Sequence, residues 1–124
     1  MDTLIIDATD ETPKIELNPS QNKFVFSGKS LPEDVASFYS PVLDWLGKYV
    51  ISPQSDTTVE FRMEYFNTAS SKIVLDILMK LEEIHLKGNK LLIKWFYRSN
   101  DVDMKEAGDE YAEIVEVPFE HISF

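Results

Sequence analysis

The sequence predicts one α/β domain: a mixed β-sheet with an N-terminal hairpin and helices mainly on one face. Three observations carry this. First, Thr57–Phe66 alternates without interruption, with Val59, Phe61, Met63 and Tyr65 on one side and Glu60, Arg62 and Glu64 on the other. Such a strand has one buried face and one largely wet face. Second, the period then turns helical and returns to two at Lys90–Tyr97, a strand–helix–strand unit whose strands lie parallel and adjacent. Third, two shorter alternating runs flank a turn-forming stretch near the start, which reads as a hairpin. A doubly wound sheet would need strands apolar on both faces, and these are not. The 124 residues suffice for a single core, so residues 1–124 read as one domain.

Each element follows from local chemistry. Met1–Thr12 is polar apart from Leu4-Ile5-Ile6 and reads as a short edge strand or a loose arm. Ile15 and Leu17 alternate with Lys14 and Glu16, and Phe24 and Phe26 with Lys23, Val25 and Ser27. Between these runs, Asn18-Pro19-Ser20-Gln21-Asn22 is a turn by composition. Pro32 with Glu33 and Asp34 is a helix start, and Val35, Phe38, Val42, Trp45 and Tyr49 recur at helical spacing. Pro41 interrupts that helix, so a kinked pair ending near Val50 is expected. After Asn67, a stripe of Val74, Ile77, Leu78, Leu81 and Ile84 marks a long helix that stops at Gly88. Met104–Val115 reads as a shorter helix weakened by Gly108, capped by Asp101 or Asp103, and Pro118–Phe124 as a closing extended segment.

Composition narrows the function. Twelve basic against 22 acidic residues give a net charge of −10, which repels phosphate backbones and anionic lipids. Nucleic-acid and membrane partners are therefore not expected. No apolar run is long enough to span a bilayer, and Met1-Asp2 lacks the basic start of a secretory signal. Without cysteine there is no disulfide, thiolate metal site or Cys nucleophile, a composition compatible with a cytoplasmic location. Glycine-rich nucleotide loops, the nucleophile elbow and the zincin motif are all missing. His85 and His121 have no partner nearby in sequence, and Asp101, Asp103 and Glu106 lack the spacing of a calcium loop. No catalytic residue, metal site or cofactor is expected.

One segment stands out: Tyr65-Phe66-Asn67-Thr68-Ala69-Ser70-Ser71-Lys72, where a strand ends and the long helix begins. A helix N-terminus presents free N–H groups and the positive end of the dipole. Capping requires only one side chain, Asn67 or Thr68. Three hydroxyls, an amide and a lysine exceed that requirement. A phosphate-cradling loop would need glycine for close backbone approach. A hydroxyl that itself receives a phosphate fits the composition better.

The same octapeptide resembles the signature of the SiaC family of bacterial regulatory phosphoproteins. The resemblance extends through Ala8-Thr9-Asp10-Glu11-Thr12-Pro13, Gly28-Lys29-Ser30-Leu31-Pro32-Glu33 and Phe38-Tyr39-Ser40-Pro41-Val42-Leu43-Asp44-Trp45-Leu46. It continues in Trp95-Phe96-Tyr97, Glu106-Ala107-Gly108 and Val117-Pro118-Phe119, in matching order. It implies a STAS-like fold, distantly related to anti-sigma-factor antagonists. It also implies partner switching, in which a kinase phosphorylates a threonine, a phosphatase reverses it, and the phosphorylation state selects the partner. The implied output partner is a GGDEF-type diguanylate cyclase, in cyclic-di-GMP and biofilm signalling. The threonine carries over to Thr68. Tyr65, Phe66, Asn67, Ala69, Ser70, Ser71 and Lys72 are implied as the surrounding partner-binding surface, with the separate roles of Asn67, Ser70, Ser71 and Lys72 unassigned. Two other readings remain. One is an antagonist acting on an anti-sigma kinase. The other is a small hydrolase using the Thr68–Lys72 cluster, which lacks an orienting His or Asp in sequence.

Overall fold

The computed structural model describes residues 1–124. Its six-stranded sheet has the spatial order β1-β2-β3-β4-β5-β6, identical to the chain order. β1 (Leu4–Ile6), β2 (Lys14–Asn18) and β3 (Lys23–Ser30) form an antiparallel meander, with a 3-10 turn at Pro19–Gln21 between β2 and β3. β4 (Asp56–Phe66), β5 (Lys90–Tyr97) and β6 (Phe119–Ser123) then join parallel, each after one helix. These helices are α1 (Val35–Tyr49), α2 (Thr68–Leu86) and α3 (Val102–Ile114). Each crossover adds the next strand at the same growing edge. Crossovers of one hand then lay all three helices on the same face.

That face holds the core. Ile15 and Leu17, Phe24 and Phe26, Val59, Phe61 and Met63, and Leu91, Ile93 and Trp95 are buried against the helical layer. Aromatic rings bridge the strands: Phe26 stacks on Phe61 at 4.8 Å between centroids, and Phe61 lies 5.4 Å from Trp95. Phe24 meets Tyr49 of α1 at 5.3 Å. The opposite face is polar. Arg62 pairs with Glu60 at 2.7 Å, and its guanidinium covers Phe96 at 3.7 Å from the ring centroid. The wet face read from the alternation of Thr57–Phe66 is therefore present.

The structure differs from the sequence expectations at three places. Helix α1 is one continuous helix containing Pro41, not two separate segments, and it begins at Val35 behind an Asp34 cap. A helix-interior proline costs about 3 kcal/mol. Tyr39, Val42, Trp45, Leu46 and Tyr49 are buried along both halves of α1, and apolar burial at about 1.5–3 kcal/mol per large side chain outweighs that cost. Tyr65 does not join Val59, Phe61 and Met63 facing the helices; it is 51% exposed. The β3–β4 register shifts between Gly28 and Lys29, and Phe66 turns inward onto Trp95 with centroids 6.3 Å apart, so Tyr65 turns out. Third, α3 starts at Val102 behind its Asp101 cap, and Gly108 is buried against the Trp95 ring.

Candidate phosphorylation site at the start of α2

The strands β3, β4 and β5 are mutually parallel, so the helices that follow them all begin at one rim, the carboxyl end of the sheet. Thr68 is the first residue of α2 on that rim, and it is exposed. Asn67 is extended, with φ −80° and ψ 175°, and its Oδ1 accepts the Ser70 N–H at 2.8 Å. The cap is therefore Asn67, which leaves Thr68 free of that task. The Ser71 hydroxyl donates to the Thr68 carbonyl at 2.6 Å, while the Thr68 hydroxyl makes no hydrogen bond within the chain.

Ser70 lies beneath the surface. It is fully buried, and its hydroxyl donates to the Ser30 carbonyl at 3.1 Å. Having spent its one proton there, it can only accept from the Ser30 hydroxyl at 2.9 Å, so Ser30 must in turn accept from Tyr39 Oη at 2.6 Å. Burial pushes the Tyr39 phenol above the usual tyrosine range, outweighing the Ser30 hydrogen bond, and keeps it a donor. On the other flank, Tyr111 of α3 donates its hydroxyl to the Ser71 carbonyl at 2.7 Å.

The sequence-predicted residues therefore separate. Tyr65, Thr68, Ala69 and Lys72 are exposed, and Phe66, Asn67 and Ser71 are half-buried. Ser70 offers a partner no surface, which corrects its assignment to the partner-binding set. A cleft of about 320 Å³ opens beside Tyr65 and Phe66, lined also by Glu64, Asp101, Asp103, Met104 and Ala107. Sequence reasoning missed the supporting residues Ser30, Tyr39 and Tyr111. Tyr39 lies outside the stripe marked by Val35, Phe38 and Val42, and Ser30 reads as an ordinary loop residue before Pro32.

The rim also sorts by charge. Helix α1 is capped by Asp34, whose carboxyl is held below the usual range chiefly by the Ser37 backbone N–H. Helix α3 is capped by Asp101 and carries Asp103 in its first turn. Helix α2 has the neutral Asn67 cap and no acid in its first turn. Its positive end is the one with no carboxylate in its own cap or first turn, and the exposed Thr68 hydroxyl sits upon it. His85 lies near the opposite end of α2, and His121 approaches Asp109 at 3.7 Å. Neither histidine is at this site.

Residues 6–124 match the description "SiaC family regulatory phosphoprotein". This chain belongs to the SiaC family. An uncharacterised protein of Pseudomonas aeruginosa strain UCBPP-PA14 is 30% identical over 119 residues, covering 96% of this chain and 94% of that protein. The crystal structure of apo-SiaC from Pseudomonas aeruginosa superposes with a TM-score of 0.90 at 30% identity, covering 98% of this chain and 99% of that one. SiaC in the crystal structure of the diguanylate cyclase SiaD in complex with its activator SiaC, also from Pseudomonas aeruginosa, gives a TM-score of 0.91 at 29% identity. That match covers 98% of this chain and 99% of the solved one. Like its SiaC-family relatives, this chain is a regulatory phosphoprotein, and no helix in it is long and apolar enough to cross a membrane.

Proposed function

We propose that this SiaC-family chain is a non-catalytic switch, phosphorylated on Thr68 by a kinase and restored by a phosphatase, whose unphosphorylated form binds and regulates a GGDEF-type diguanylate cyclase in the cytoplasm. The observation that carries the reading is Thr68 itself. It combines an exposed, unengaged hydroxyl with the one helix N-terminus on the rim that has neither an acidic cap nor an acid in its first turn. Phosphate adds about −1.5 to −2 charges there, and the α2 dipole accommodates it. The cyclase is suggested by the relative described as the activator of SiaD.

Release follows from desolvation. A partner seated over Tyr65, Thr68 and Ala69 would have to strip water from the phosphate, a penalty of several kcal/mol unless it brings its own cations. The fold survives while that surface is lost to the cyclase and gained by the phosphatase. The test is phosphosite mapping after reaction with the kinase, then titration of both forms against the cyclase. Thr68→Ala should fold, take no phosphate and keep cyclase binding. Thr68→Asp should fold and bind more weakly. Phosphate found only on Ser71 would move the switch, and equal cyclase affinity of both forms would refute the mechanism.

A further inference from the structure

Three hydroxyls share the first turn of α2, yet only that of Thr68 is both exposed and unengaged. The turn is tied down from beneath by more bonds than a cap requires. The Asn67 N–H and the Ser70 hydroxyl both donate to the Ser30 carbonyl, each at 3.1 Å. The Ser30 hydroxyl, itself fixed by Tyr39, donates to Ser70, and Tyr111 holds the Ser71 carbonyl from the α3 side. Helix ends otherwise fray.

We infer that Ser70, through Ser30 and Tyr39, is a positioning residue for phosphorylation: it locks the first turn of α2 so that Thr68 alone is presented to the kinase. This rests on the reading of Thr68 as the switch. In the transfer, a bond forms between Thr68 Oγ1 and the γ-phosphorus of ATP as the bond from that phosphorus to the β–γ bridging oxygen breaks. The hydroxyl proton passes to the kinase's base, and ADP leaves. The reaction demands an in-line approach, and a misplacement of about 1 Å can slow such a step about a hundredfold. Ser70, with its proton committed to the Ser30 carbonyl and no exposed surface, is withheld from the same chemistry.

Tyr39→Phe removes only the outer hydroxyl of the chain and leaves all three first-turn hydroxyls in place; Ser70→Ala removes the inner one. Amide hydrogen exchange on the full-length, unphosphorylated proteins needs no kinase. Both variants should exchange the amides of residues 67–72 about tenfold or more faster than wild type, while the β5 amides of Ile93 and Trp95 stay protected. With the kinase that phosphorylates the wild-type chain, kcat/KM at Thr68 should fall about tenfold, and Tyr39→Phe should divert part of the phosphate to Ser70 or Ser71. A merely structural hydroxyl would lower stability without redistributing phosphate. Unchanged exchange in the first turn, or acceleration equal to that in β5, overturns the lock. Wild-type rate and site choice in both variants overturn the positioning role while leaving the Thr68 switch standing. A wild-type chain that takes no phosphate on Thr68 overturns the switch, and this role with it, even where exchange reveals the lock.

Discussion

Gly108→Ala should destabilise the protein by about 1–3 kcal/mol, although the same change in an exposed helix stabilises by about 1 kcal/mol. The sign depends on Trp95. This indole is fully buried, donates its N–H to the Met104 carbonyl at 2.9 Å, and touches Phe61, Phe66 and Tyr111 edge-on or tilted. A Cβ on Gly108 would lie closest to Trp95 Cδ1, 2.6 Å from Nε1 and 2.8 Å from Cγ. Carbon atoms pack at about 3.5–4.0 Å, so α3 would have to withdraw by about 1 Å or the ring would have to tilt. Neither is easy, because a rigid ring with packed neighbours has no free end to swing aside. Overpacking of this kind costs about 1–3 kcal/mol, and stretching the Trp95–Met104 hydrogen bond about 1 more. Alanine's better helix propensity returns about 1 kcal/mol. Urea unfolding followed by tryptophan fluorescence should therefore show a lower midpoint at unchanged slope. A midpoint equal to or above that of the wild type would refute the packing argument and leave only propensity.

Three further outcomes follow from the site. Tyr65→Ala should leave stability within about 0.5 kcal/mol of wild type, because the ring is half exposed, yet weaken cyclase binding at least tenfold by calorimetry; unchanged affinity would remove Tyr65 from the proposed interface. Asn67→Asp should stabilise the unphosphorylated protein by about 0.3–1 kcal/mol through the α2 dipole and destabilise the Thr68-phosphorylated form, read as opposite shifts of the two melting temperatures. Tyr39 and Tyr111 are both held above the ordinary tyrosine value of 10 by burial. Unfolded tyrosines ionise near that value while these stay protonated, so their contribution is full below about pH 10 and is lost as pH rises above it, by up to about 1.4 kcal/mol per unit for each. Tyr39→Phe should flatten that alkaline slope in urea titrations; an unchanged slope would show that Tyr39 does not contribute to it.

The parts of the fold that follow from period and sidedness were legible in the sequence. Val59, Phe61 and Met63 alternate with Glu60, Arg62 and Glu64 because one face meets the helices and the other meets water, and the pattern states this directly. What the pattern missed depends on partners distant in sequence. Gly108 reads as a weakness in a helix until Trp95 is placed against it. Pro41 reads as a break until the burial of Tyr39 and Leu46 on either side is counted. Tyr65 keeps perfect alternation in sequence, and only the register shift at Gly28/Lys29 turns it outward. Ser70 looks equivalent to Thr68 and Ser71 by type; its partner Ser30, and Tyr39 bonded to Ser30 in turn, lie 40 and 31 positions away, beyond any local pattern.

The placement of Thr68 follows from the topology as much as from the motif. Parallel strands feeding helices of one hand bring three helix N-termini to a single rim, each a potential site for negative charge. In a chain of net charge −10, the general field disfavours a further dianion, so a phosphate is tolerated only where local charge is favourable. Asp34 fills that role for α1, and Asp101 with Asp103 for α3, and a phosphate beside either would meet a carboxylate at short range. Asn67 supplies the hydrogen bond that a cap must make without supplying charge, and Lys72 lies one turn further along α2. An aspartate in place of Asn67 would serve the unmodified helix better, by the dipole term that favours acids at N-termini. Under the proposed switch, the neutral cap gives up stability in the resting state and reserves the positive end of α2 for the charge that a phosphate on Thr68 would bring.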